Sequence, residues 1–139
     1  TTAGVGLSFL LESKDRVGVN LSLSNADSES VNYVSQGQSV NVCYSWAEPI
    51  GPISLSAGAG ISLRNFPDFL VFTLASGFAP IDGGRDDRTL SANMNIGFPE
   101  VSYAGFSPGL RLDASRTRSN VSRYDRTTFS AGLTISSSF

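Results

Sequence analysis

Arg88-Thr89-Leu90-Ser91-Ala92-Asn93-Met94-Asn95-Ile96-Gly97-Phe98 is the stretch on which the fold turns. Leu90, Ala92, Met94, Ile96 and Phe98 are apolar, and Ser91, Asn93, Asn95 and Gly97 between them are small and polar. A repeat of two marks an extended strand, because successive side chains leave a strand on opposite faces. The same alternation closes the chain, with Phe129, Ala131, Leu133 and Ile135 against Ser130, Gly132, Thr134 and Ser136, before a last aromatic, Phe139. A soluble sheet usually carries Lys, Glu and Thr on its wet face. An unbroken apolar face backed by Ser, Asn and Gly is the pattern of a membrane-spanning β-barrel, apolar side to lipid and polar side to the lumen.

Working outward, the pattern recurs. Val5, Leu7, Phe9 and Leu11 alternate up to a turn at Ser13 to Arg16, and Val17, Val19, Leu21 and Leu23 answer them, which reads as a hairpin. A third strand runs through Val31 and Tyr33, slips phase near Gln36 to Ser39, and resumes as Val40, Val42, Tyr44 and Trp46, a slip that predicts a bulge. After Pro49 and Pro52, Ile53 to Arg64 alternates long enough to cross a bilayer. Asn65, Pro67 and Asp68 turn the chain into a fifth strand from Leu70 to Phe78, and Pro99 and Glu100 lead to a strand through Leu110, Leu112 and Ala114. The expected fold is therefore all-β, one domain over residues 1–139, with about eight antiparallel strands in meander order. They form either a small closed barrel or one arc of a larger one, since open sheet edges find no partner in hydrocarbon.

Placing the C-terminus in the periplasm sends Asp82 to Asp87 and Arg116 to Arg126 outside and the turns at Asn65 to Asp68 and near Pro99 inside. The first hairpin fits that parity less well. Its short turn at Lys14 falls outside and the longer Asn25 to Ser30 segment inside.

A soluble β-sandwich also alternates, because each sheet buries one face against the other. Against it stand the aromatics near strand ends (Tyr44, Trp46, Phe66, Phe69, Phe98, Tyr103, Phe106, Phe139), which suit an interfacial girdle. Strand charge at Glu12, Arg64, Arg111 and Asp113 also falls on the polar face, away from lipid. Leu133 and Ile135 with Phe139 read as the aromatic-ended last strand of an outer-membrane barrel.

Composition removes other classes. Ten basic and twelve acidic residues give a net charge of −2, so there is no basic stripe for nucleic acid. Cys43 is the single cysteine, which rules out an intrachain disulfide and a thiolate metal cluster. No histidine is present, which removes Ser-His hydrolase and acyltransferase chemistry. No catalytic residue, cofactor or metal site is expected. Glu12, Arg64, Arg111 and Asp113 read as a lumen charge network. The loop from Asp82 to Asp87 lacks the ligand spacing of a calcium site and reads as a solvated loop. Arg116, Arg118, Arg123 and Arg126 with Tyr124 form a basic loop cluster able to contact lipopolysaccharide phosphates or a protein client.

Arg85-Asp86-Asp87-Arg88-Thr89, then Gly105-Phe106-Ser107-Pro108, then Ser119-Asn120 and Tyr124-Asp125-Arg126 before Phe139 resemble the C-terminal strands of the surface lipoprotein assembly modifier family. The likeness is strongest from Ile53 to Phe139. It implies an outer-membrane protein of a Gram-negative bacterium, without enzymatic activity, that passes lipoproteins or other secreted proteins to the cell surface. The implied partners are outer-membrane lipid, a lipoprotein or secreted-protein client, and other membrane protein subunits. Members of that family place a periplasmic helical-repeat domain before a barrel with more strands, so this chain is expected to be a fragment or a reduced relative. The alternatives are a small structural barrel that braces a membrane assembly and a soluble β-sandwich binding module.

Overall fold

The computed structural model describes residues 1–73 and 77–137. They form nine strands: β1 (Thr2–Leu10), β2 (Arg16–Ala26), β3 (Ser35–Ser45), β4 (Ser54–Phe66), β5 (Leu70–Thr73), β6 (Gly77–Pro80), β7 (Arg85–Gly97), β8 (Phe106–Ser119) and β9 (Arg126–Ser137). Two single-turn 3-10 helices, η1 (Val31–Tyr33) and η2 (Ser122–Tyr124), sit in the connections. Seven strands make one antiparallel sheet in the order β1-β2-β3-β4-β7-β8-β9, and β5 and β6 form a separate hairpin.

The strand count of about eight is thus corrected to seven in the sheet. The expected fifth strand, which in the sequence runs through Leu74 outside the described residues, does not cross between its neighbours. β4 pairs directly with β7 from Ser54↔Gly97 to Phe66↔Arg85, and the segment between them is a loop with a hairpin of its own. This explains the weak alternation there, because a hairpin off the sheet has no apolar and polar sheet face to satisfy.

Removing one crossing resolves the parity conflict. The connections after β2, β4 and β8 now lie at one end, the loop end. The connections after β1, β3 and β7, of five, eight and eight residues, lie at the other, the turn end, together with the end of β9. The bulge expected near Gln36 is also absent. β2 and β3 pair residue for residue from Arg16↔Ser45 to Ala26↔Ser35, and the phase slip is the 3-10 turn that precedes β3.

The faces are as the alternation requires. Leu7, Val19, Val42, Ala59, Ala92, Ala114 and Phe129 pair in succession as one apolar rung across all seven strands. The adjacent rung on the other face is Gly6, Asn20, Asn41, Gly60, Ser91, Ser115 and Thr128. That polar face is laced by cross-strand bonds, Ser22 to Ser39 at 2.7 Å, Thr89 to Thr117 at 2.9 Å and Asn95 Nδ2 to Ser56 Oγ at 3.4 Å. Glycine gives room for its longer members: a Cβ on Gly60 would run into Oδ1 of Asn41.

What the sheet lacks is a core. Leu7, Val42 and Phe129 keep 56%, 45% and 70% of their surface exposed. Among the described residues the only buried large apolar side chains are Phe66 and Phe69, both at the loop end. Among the described residues no second sheet covers the apolar face, which is the arrangement a sandwich would need. Of the two expected forms, a small closed barrel and an arc of a larger one, the closed barrel is not observed: β1 and β9 are the two ends of the strand order, and the sheet is open.

Candidate functional site at the loop end

The loop end of the polar face is the best-built part of the molecule. Phe66 ends β4 and Arg85 begins β7, and the two are register partners. The β5–β6 hairpin between them brings Phe69 beside Phe66, rings 6.2 Å apart. η2 brings Tyr124 edge-on to Phe69 at 5.5 Å. The guanidinium of Arg85 enters this box, 3.8 Å from the ring centroids of Phe66 and Tyr124 and 4.8 Å from that of Phe69. It also donates from Nε and Nη2 to Asp87, the closest contact being 2.7 Å, with both side chains nearly buried. A planar cation can serve rings and carboxylate at once, because the rings take its faces while the carboxylate takes its edge.

Asparagines tie the loops to the strands. Asn120 Nδ2 donates to the carbonyl of Gly84 at 2.9 Å, and its Oδ1 accepts the N–H of Asp86 at 2.9 Å. Asp125 accepts the N–H of Ser119 at 2.6 Å, which pins η2 to the end of β8. Asn32, in η1, exchanges two bonds with the backbone of Leu70. Three connections thereby meet over one end of the polar face. Gly84, at φ +77, passes so near the carbonyl of Phe66 and the backbone of Pro67 that a side chain would collide.

Beneath the box opens a cleft of 460 Å³ lined by Arg64, Arg85, Arg123 and Arg126, with Asp87 and Asp125. Asp87 is held by Arg85, and Asp125 is engaged at the β8 end. Arg64, Arg123 and Arg126 make no ion pair among the described residues, so the cleft presents positive charge toward the polar side of the sheet.

The expected lumen network separates into parts. Arg111 donates to both carboxylate oxygens of Asp113, at 2.9 and 3.1 Å, further down the polar face of β8. Arg64 lies at the loop end, in register with Asp87. Glu12 is not on the wall: it lies in the turn after β1, at the opposite end, because β1 ends at Leu10. The expected loop cluster divides too. Arg116 and Arg118 belong to β8, not to a loop. Their register partners Leu90 and Arg88 place them on the apolar side. Arg123, Tyr124 and Arg126 face the polar cleft. Leu133 and Ile135 are exposed on β9, and Phe139 lies outside the described residues.

The expectation that strand charge keeps almost wholly to the polar face is corrected by Arg88, Arg116 and Arg118, which lie on the apolar side. Phe66 and Phe69, expected in a girdle, are instead the walls of the arginine box. The nearest signal in the sequence was Pro67 between them, at the turn that follows β4.

The turn end is held by different chemistry. Asp15 accepts hydrogen bonds from the Tyr44 hydroxyl, the Ala47 N–H at 2.8 Å and the Ser13 hydroxyl at 2.8 Å. These three donors, Tyr44 foremost, hold its carboxyl below the usual aspartate range. Trp46 packs edge-on against Tyr44 with centroids 4.6 Å apart. Sequence reading passed over Asp15 because a turn aspartate is ordinary until its distant donors are known.

The family model described as surface lipoprotein assembly modifier matches residues 3–139. No curated protein and no solved structure matches the chain.

Proposed function

The chain belongs to the surface lipoprotein assembly modifier family, and from that premise we propose that it is part of the wall of an outer-membrane β-barrel through which lipoproteins or other secreted proteins reach the cell surface. The observation that carries this reading is the apolar face, continuous over seven strands and uncovered by any other element among the described residues. In water such a face would drive aggregation, whereas against acyl chains it is the ordinary outer surface of a barrel. The N–H and C=O groups on the free edges of β1 and β9 would be several kcal/mol too costly in hydrocarbon if left unpaired. The working barrel therefore joins those edges to each other or to further strands.

The transport role rests on the family and on the character of the wall. Ser54, Ser56, Gly58 and Gly60 project almost no volume from β4, which suits a lumen with room for a client. The loop-end cleft, with Arg64, Arg123 and Arg126 at its margin, gives that lumen a cationic mouth. The role requires no catalysis.

Two measurements test the proposal. SDS electrophoresis of the detergent-extracted protein, with and without boiling, is expected to show two mobilities; a soluble monomer without detergent would refute the membrane assignment. Depleting the protein is expected to reduce protease-accessible lipoprotein on intact cells while the total pool persists. Unchanged surface exposure would favour a barrel that only braces an assembly.

A further inference from the structure

The sheet register gathers three arginines that are scattered in the sequence. Arg118 stands directly across from Arg88 in the β7–β8 pair, and Arg116 is across from Leu90 one rung nearer the middle of the sheet. All three are exposed on the apolar side, and among the described residues none makes an ion pair or side-chain hydrogen bond. Two carboxylates share this end of the sheet and both are engaged elsewhere: Asp86 accepts a bond from Asn65 Nδ2 at 2.8 Å, and Asp87 is held by Arg85 at 2.7 Å. Like charges facing each other across a strand pair are unfavourable unless an anion lies between them.

The rung that holds two of these arginines is graded. Ala3, Leu23, Gln38, Leu63, Arg88 and Arg118 pair in succession and line a groove of 840 Å³. Leu23 and Leu63 give it a greasy floor, and the guanidiniums stand at one end. β7 has 13 residues and β8 has 14, more than the roughly 9 to 11 that cross hydrocarbon. The last rungs at the loop end therefore emerge into the headgroup layer, where a long arginine stem can lie on apolar surface while its head reaches phosphate.

From this juxtaposition we infer that the loop-end groove binds the phosphorylated headgroup of a membrane lipid, Arg88, Arg116 and Arg118 taking phosphate oxygens and Leu23 and Leu63 meeting the first acyl carbons. Paired arginines suit the task because each guanidinium offers two parallel donors to one phosphate. The inference rests on the reading that the apolar face meets lipid.

The test uses the full protein folded in neutral detergent, with native mass spectrometry counting bound lipid as a bisphosphorylated glycolipid is titrated against phosphatidylcholine. Binding of the glycolipid is expected to weaken about fivefold for each arginine changed to glutamine and about 100-fold for Arg88→Gln, Arg116→Gln and Arg118→Gln together. Lys14→Gln with Arg16→Gln, at the other end of the sheet, is expected to leave it unchanged, and inorganic phosphate at matched ionic strength is expected not to displace the lipid. Equal affinity in the triple variant, equal loss in the turn-end control, or displacement by inorganic phosphate would overturn the assignment. The boiled and unboiled mobilities of each variant separate the two ideas. Wild type with two mobilities but no preference for the phosphorylated lipid sinks this inference alone, and wild type with a single mobility and no need of detergent sinks the lipid-facing reading and this inference with it.

Discussion

Val42→Arg puts a charge at the centre of the apolar face, on the rung that runs from Leu7 to Phe129. Arginine at the midplane of a barrel's lipid face costs about 2 to 4 kcal/mol and about 0 to 1 near the interfaces. At about 1.4 kcal/mol per tenfold, the folded-to-unfolded ratio should fall about 30- to 1,000-fold. Asn41→Arg, the next residue on the same strand, faces the polar side opposite Gly60 and should cost less than about 1 kcal/mol. Urea titration of the protein folded in lipid bilayers, read by the unboiled band, measures both.

A buried sandwich core would also reject arginine at Val42, so the contrast needs a second readout. With Trp46→Phe removing the native indole, Val42→Trp should be strongly quenched by brominated acyl chains and Asn41→Trp should not. Leu63→Arg, on the loop-end rung beside Arg88, should be far milder than Val42→Arg. Equal quenching at Val42 and Asn41, or equal damage from Leu63→Arg and Val42→Arg, would refute the assignment of faces.

Three further outcomes follow from particular contacts. Arg85→Ala removes a cation held between two rings at 3.8 Å, each contact worth about 0.5 to 2 kcal/mol; amide exchange in residues 66–73 and 119–125 should quicken at least tenfold while the unboiled mobility is kept, and Arg85→Lys should recover only part because it cannot meet rings and Asp87 together. The carboxyl of Asp15 is held below its ordinary pKa, so its stabilisation of the turn end is fully present above the unfolded value and is lost as pH falls through the lower folded one; the Ala47 amide shift should titrate with a midpoint below 3.8, and Asp15→Asn should abolish that titration. Gly60→Val drives a side chain into Asn41 and should lower folding yield severalfold, with Asn41→Ala restoring most of it.

The legible part of this fold was whatever repeats along a strand, and the illegible part was whatever depends on where strands start. Ser91, Ala92, Asn93 and Met94 declare their faces in the sequence, and the register bears them out rung by rung because a one-residue slip would turn every apolar side chain to the wrong side. The resemblance carried by Arg85 to Thr89, Ser119-Asn120 and Tyr124 to Arg126 was likewise readable, and those residues prove to build the loop end: Arg85 with Tyr124, Asn120 with Asp86, Asp125 with Ser119.

Hidden in the sequence was the point at which strand gives way to loop. Leu70 to Phe78 has strand-forming residues, and only pairing partners can say whether it enters the sheet; β4 and β7 exclude it by taking each other. That exclusion shifts the parity of every connection before it. It moves Lys14 to the turn end and the Asn25 to Ser30 segment to the loop end, so the first hairpin, which had fitted least, agrees with the last. The same uncertainty of strand ends concealed the arginines. A loop beginning at Arg116 makes four basic residues one cluster, whereas a β8 that continues to Ser119 puts Arg116 and Arg118 on the apolar side beside Arg88 and leaves Arg123 and Arg126 facing the cleft. Four residues of strand length therefore divide one expected binding group into two, directed toward the apolar side and the polar side of a single sheet.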